Sequence, residues 1–407
     1  MTGHLFDDKL LPILNEYPLP VQCPTTGKRT VIRFNSPRRS TIAQAFVCAA
    51  ALLVCTPIAT AQSNADLPRS TINAISIGST QHTQINEFIQ AWSERALSDK
   101  AQDTKRAIDA LTKPLTGGGA SVAFRQSYSI SLTPLLDELK NKGTIGATIA
   151  SLKIAGDLAT SPSATRVRNA MKHEDLGVQL FAVSRAGQIF TTTIAYGPAM
   201  TANDTNALIN AIDKLASDES INPELFRTCV RALSTATMLS SKDMGNERSH
   251  AIIALSQAIG SRLRGLNVSD DPSYTQGIAL EAAGAMTASI ADISSSTTSE
   301  AAKEAIGLSG DIISITLRRL LGKTLNPVDR RDLAVRSVQA GENLLYFALK
   351  KDAELNGSGL GTINPTKFAD QLTEGDDRKF RNGASSLFGD GSKLCRRFKF
   401  VNGRFVR

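Results

Sequence analysis

The sequence predicts an all-α protein: stacked antiparallel helical hairpins, solenoid-like or as an irregular helical bundle, ending in a short C-terminal β-hairpin. Three patterns carry this. Apolar residues recur at helical spacing, proline repeatedly follows a capping-type residue, and the last residues alternate around Asn402-Gly403. Of 407 residues, 42% are hydrophobic, 21% charged and only 5% aromatic. That composition suits one elongated or two compact globular domains, and excludes a collagen-like fibre or a polytopic membrane protein.

In chain order, the first feature is a targeting signal. Arg38 and Arg39 precede an apolar run from Ile42 to Ile58, followed by Ala59-Thr60-Ala61. A basic flank, a short apolar core and an A-x-A triplet describe a secretory signal cleaved before Gln62, and the run is short for a permanent span of roughly 20 residues. Residues 1–61 are therefore read as N-terminal extension and signal, 62–80 as a flexible mature N-terminus, 81–392 as the helical domain and 393–407 as a basic hairpin or tail. The expected destination is the periplasm or extracellular space of a bacterial envelope, with no integral span after cleavage.

Removing 1–61 changes the charge argument. The body from 62 to 392 holds 34 basic and 35 acidic residues, whereas 393–407 holds six basic residues and no acid. The net charge of +8 thus comes from the ends, and the body is no basic nucleic-acid-binding surface. Two cysteines remain, Cys229 and Cys395. They make no disulfide framework, and Cys229 sits on an apolar helical face as a buried free thiol would.

The helical period is clearest at Phe226, Cys229, Val230 and Leu233, and it recurs at Leu208, Ile212 and Leu215, at Ile252, Leu255 and Ile259, and at Ile313, Leu317 and Leu320. About a dozen helices are expected between Gln81 and Leu387. The expected core comprises Phe226, Val230, Leu233, Ile252, Leu255, Ile313 and Leu317. Helix starts are expected at Ser161-Pro162, Asn222-Pro223, Asp271-Pro272, Asn326-Pro327 and Asn364-Pro365, because a side-chain oxygen can satisfy a first-turn N–H and proline's fixed φ suits the first helical position. Thr297 and Glu300 form a capping box. The alanine-rich run Ala279–Ala291 suits close approach of neighbouring helices.

The prolines at 162, 223, 272 and 327 are 61, 49 and 55 residues apart, about two helices and two turns per unit. Asp175-Leu176-Gly177-Val178 and Asp332-Leu333-Ala334-Val335 share a D-L-small-V start. Over roughly 144–350 this resembles the helical repeats of HEAT and armadillo proteins, and the resemblance implies an α-solenoid that binds other proteins.

Motifs for chemistry are sparse. Gly117-Gly118-Gly119 is not followed by a Gly-Lys-Ser/Thr; His82, His173 and His250 are scattered; and Asp270-Asp271 and Asp376-Asp377 lie at polar turns as caps. Asp352, Glu354, Asn356 and Gly357 match the start of a calcium loop, but Ile363 stands where the bidentate glutamate belongs, so the segment is read as a glycine-rich turn between helices. No catalytic, metal or cofactor residues are assigned and no cofactor is expected.

The C-terminal L-C-R-R-F-K-F-V, Asn402-Gly403 and R-F-V-R read as a hairpin pairing Phe400 with Phe405, and Arg396, Arg397, Lys399, Arg404 and Arg407 are candidates for gripping an anionic surface. The expected function is that of a non-enzymatic interaction or scaffold protein with an unidentified protein partner. The alternatives are docking of the basic tail on an anionic polymer, lipid or nucleic acid, and an exported enzyme with an unrecognised site.

Overall fold

A computed structural model describes residues 66–292, 296–325, 328–357, 360–361 and 363–405, and the targeting signal read from residues 1–61 lies outside them. Among the described residues the chain forms sixteen α-helices and no strand. They are α1 (Arg69–Ile72), α2 (Ser79–Ala96), α3 (Ala101–Thr116), α4 (Val122–Asn141), α5 (Ile145–Leu158), α6 (Ser161–Ala170), α7 (Leu176–Tyr196) and α8 (Ala202–Ala216). Then follow α9 (Pro223–Ala236), α10 (Ser241–Gly265), α11 (Ser273–Ala291), α12 (Ser299–Leu321), α13 (Val328–Asn356), α14 (Phe368–Thr373), α15 (Asp377–Phe388) and α16 (Lys393–Phe398).

The helices stack in two rows. In one row α3, α5, α7, α9, α11 and α13 touch in succession; in the other α6, α8, α10 and α12 do, with α2 against α4 ahead of them. Sequential neighbours bridge the rows. Such alternation follows when each helix carries one apolar stripe wide enough to meet the next helix and the next but one.

All seven expected core residues are buried, among them Leu233, Ile252 and Leu255. The body holds two apolar clusters, and α5 divides them. Ala147, Ala150, Ile154 and Leu158 face the N-terminal cluster while Leu152 and Ala155 face the larger one. Small residues set the spacing as expected. Ala279, Ala282 and Ala283 are buried in α11, and a Cβ on Gly341 of α13 would meet Ile312 of α12 at 3.3 Å.

The proline starts hold unevenly. Asn222 caps α9, its Oδ1 accepting the N–H groups of Glu224 at 2.9 Å and Leu225 at 3.4 Å. Asp271 accepts the N–H of Ser273 at 3.1 Å at the head of α11, and Pro162 is the second residue of α6, whose cap position is Thr160. Asn364-Pro365 starts no helix, and Asn326-Pro327 lies outside the described residues. The capping residue ahead of α12 is Thr298 rather than Thr297. The unequal proline spacings also gain a cause: the first interval holds α6, α7 and α8, whereas each of the next two holds two helices. Asp175 caps α7 as the D-L-small-V pattern predicts, but Asp332 sits inside α13.

Among the described residues the C-terminal β-hairpin is absent. Ser392 caps α16 by accepting the Cys395 N–H at 3.0 Å, and Leu394, Cys395 and Phe398 turn one helical face into the core. Lys399 ends the helix at φ 53°, and Asn402-Gly403 makes a turn closed by the Arg404 N–H on the Val401 carbonyl at 3.1 Å. Phe400 and Phe405 do meet across it, with ring centres 5.2 Å apart, but with no strand ladder. An isolated ribbon is marginal in water, and burying Phe398, Phe400 and Phe405 on the body outweighs the few ladder bonds a hairpin would add.

Candidate functional site

The tail is latched to the stack by two of its arginines. Asp311 of α12 has a side chain with no exposed surface, and its Oδ2 accepts from Arg264 Nη1 at 2.6 Å and Arg404 Nη2 at 2.9 Å. Glycine makes this latch possible. A Cβ on Gly307 would stand 2.5 Å from the Arg404 guanidinium, one on Gly310 2.5 Å from the Phe405 ring, and one on Gly260 2.6 Å from Asp311. The Arg404 guanidinium also lies over the rings of Phe400 and Phe405, at 4.8 and 5.2 Å. Burial raises the Asp311 pKa, and the two arginines oppose that shift.

Arg397 makes a second latch, with Nη2 2.5 Å and Nε 3.0 Å from Asp352 Oδ2. Of the five cations expected to share a binding face, Arg397 and Arg404 thus point inward, Arg396 and Lys399 are exposed, and Arg407 lies outside the described residues. The Asp352 pairing also disposes of the calcium-loop match. Helix α13 runs through Asn356, whose amide donates to Asp352 at 2.7 Å, so the oxygens lie on a helix rather than around an ion, and Gly357 ends the helix at φ 77°. Among the described residues no cluster of three or more His, Cys, Asp or Glu could hold a metal.

Between α13, the stretch carrying Leu360, Ile363, Asn364 and Thr366, α15 and the start of α16 lies a half-open cavity of about 550 Å³. Leu345, Leu349, Phe368 and Leu394 give it apolar walls, and the exposed Lys393 stands at its rim. The Glu342 carboxylate, only 4% exposed, accepts the N–H groups of Phe368 at 2.5 Å and Ala369 at 3.0 Å, so it caps α14 from another helix. Thr366 contributes a buried Oγ1 without a hydrogen-bond partner. Residue spacing carried no sign of this cavity, because its walls come from four separated segments.

Several buried polar groups serve the stack. Arg125 has no exposed surface, and its Nη2 donates to the carbonyls of Tyr196 at 3.1 Å and Gly197 at 2.5 Å, closing the C-terminal end of α7. Glu247 accepts from Asn206 at 3.0 Å, and the same amide's oxygen meets His250 Nδ1 at 2.9 Å, tying α8 to α10. Ser127 Oγ lies 3.2 Å from His82 Nδ1. Asp376 caps α15 while Asp377 pairs with Arg331. Cys229 and Cys395 are both free and buried, and burial pushes the Cys229 thiol up to about 12, which leaves it protonated and inert at neutral pH.

Asp157 is 7% exposed, and burial raises its pKa from 3.8 to about 6 against the opposing charges of Arg185 and Lys153. The native state holds this proton to higher pH than the unfolded chain does. Its contribution to stability is therefore full below pH 3.8, falls as pH rises to about 6 and is flat beyond. Asp157→Asn should remove that fall and raise stability at pH 7 by on the order of 2 kcal/mol, read from urea midpoints at pH 4 and 7.

No helix among the described residues is long and apolar enough to cross a membrane. No family model matches the chain, and no curated protein matches it. Among solved structures, a crystal structure of an engineered protein from the Northeast Structural Genomics Consortium is similar at 14% identity and a TM-score of 0.31, covering 81% of this chain and 92% of its own.

Proposed function

We propose that the chain is an α-solenoid of the HEAT and armadillo kind that acts as a non-enzymatic interaction scaffold, exported to a bacterial envelope, where it binds a protein partner. One observation supports this reading above others: the row α3, α5, α7, α9, α11 and α13 is continuous in its contacts, and α6, α8, α10 and α12 form a second continuous row beside it. Stacked helices set their outward faces side by side, and such a series of faces recognises extended partners. The partner's affinity should be insensitive to salt. Export follows from the Arg38-Arg39 flank and the Ala59-Thr60-Ala61 site, and mass spectrometry of the protein from its own cells should find an N-terminus near Gln62. An intact chain beginning at Met1 would rule out cleavage.

Docking on an anionic surface is the second reading, favoured by the exposed Lys393, Arg396 and Lys399 in and beside α16. Deleting 393–407 cannot test it cleanly, because Phe398, Phe400 and Phe405 belong to the core. The combined variant Lys393→Glu, Arg396→Glu and Lys399→Glu spares the core. Under the scaffold reading it binds its protein partner with unchanged affinity. Under the second, it loses salt-dependent binding to anionic vesicles.

A further inference from the structure

We propose that the cavity between α13, α15 and α16 binds a small amphipathic monoanion, a medium-chain alkyl carboxylate, with its chain among the leucines and its headgroup at Lys393. The proposal stands apart from the scaffold reading. The volume of about 550 Å³ falls within the range of roughly 300 to 1,000 Å³ typical of small-molecule sites, and the half-open mouth gives a ligand a way in.

Chemistry selects the class of occupant. Leu345, Leu349 and Leu394 offer three walls of aliphatic surface, which favours a flexible hydrocarbon over a polar body. Charge then sets the orientation. The one carboxylate in the lining, Glu342, is buried, and both its oxygens already accept backbone N–H groups at the start of α14. It repels a second anion from the interior and needs no incoming cation to balance it. Lys393, the one cation in the lining, is exposed at the rim, where a carboxylate can pair with it while keeping part of its water.

The test is calorimetric titration of the full-length chain with decanoate, decanol and decylammonium, each below its micelle-forming concentration. Decanoate should bind saturably at one site and more tightly than decylammonium. Ser386→Trp places a large ring at the exposed rim and should weaken decanoate at least tenfold. Lys393→Glu should weaken decanoate about tenfold and leave decanol within twofold. Lys393 is exposed, so this second variant keeps the fold whatever the tryptophan does. Absence of saturable binding, a preference for decylammonium, or equal decanoate affinity in wild type and Lys393→Glu would each overturn the proposal. Decanoate uptake that both variants leave unchanged would place the binding elsewhere, for example on the apolar run 42–58, and would overturn it as well.

Discussion

Replacing Asp311 by alanine should lower stability by about 3 to 5 kcal/mol, the range for breaking a buried ion pair from one side. Two arginines share this carboxylate, and removing it strands the Arg404 guanidinium in a groove cut by Gly307 and Gly310, with its charge only partly met by the rings of Phe400 and Phe405. The tail should then loosen as a unit, because Phe405 enters the same groove beside Phe388 at 5.3 Å. Denaturant unfolding gives the magnitude, and hydrogen exchange should show new exposure confined to 399–405 and the facing turns of α12. Asp311→Leu combined with Arg404→Met should recover most of the loss, since a well-packed apolar pair avoids desolvating two charges. Arg264, which is partly exposed, can turn to solvent in that double variant.

Leu255→Ala should cost about 2 to 5 kcal/mol, toward the upper end of that range. Leu255 has no exposed surface, and α10 is packed by α8, α9, α11 and α12. A hole between helices held from both rows cannot close by moving one neighbour, so the cavity term stays on top of the lost burial. Ile130→Ala is the contrast. Ile130 is 69% exposed on α4, and its truncation should change stability by no more than about 0.5 kcal/mol. Urea midpoints of the two variants, measured beside wild type, decide whether the stripes read from the sequence are the core in energy as well as in geometry.

Those stripes were legible because helical periodicity is local. Phe226, Val230 and Leu233 lie within two turns of one helix, and whatever packs on them must bury that face. Capping was legible where the side chain reaches its own first turn, as at Asn222 and Asp175. It failed at α14, whose N–H groups are met by Glu342 from α13, 26 residues earlier for Phe368. The C-terminal segment misled for another reason. L-C-R-R-F has helical spacing while the overlapping R-F-K-F alternates, and the choice fell to tertiary burial of Leu394, Cys395 and Phe398. The roles of Arg397 and Arg404 were hidden likewise, since their partners Asp352 and Asp311 are 45 and 93 residues away. A basic run with no acid nearby in sequence reads as a free face. Only the fold brings the carboxylates in.

The scaffold reading is tested most directly by lysine crosslinking and mass spectrometry of the protein with a partner bound from its own envelope fraction. Exposed or half-buried lysines stand at successive levels of one row, with Lys214 on α8, Lys242 on α10 and Lys303 on α12. A single partner should crosslink through lysines on at least three helices of that row, or of the other, and the same crosslinks should persist in high salt. Crosslinks confined to one loop or to the tail, or lost as salt is raised, would contradict recognition along the stack.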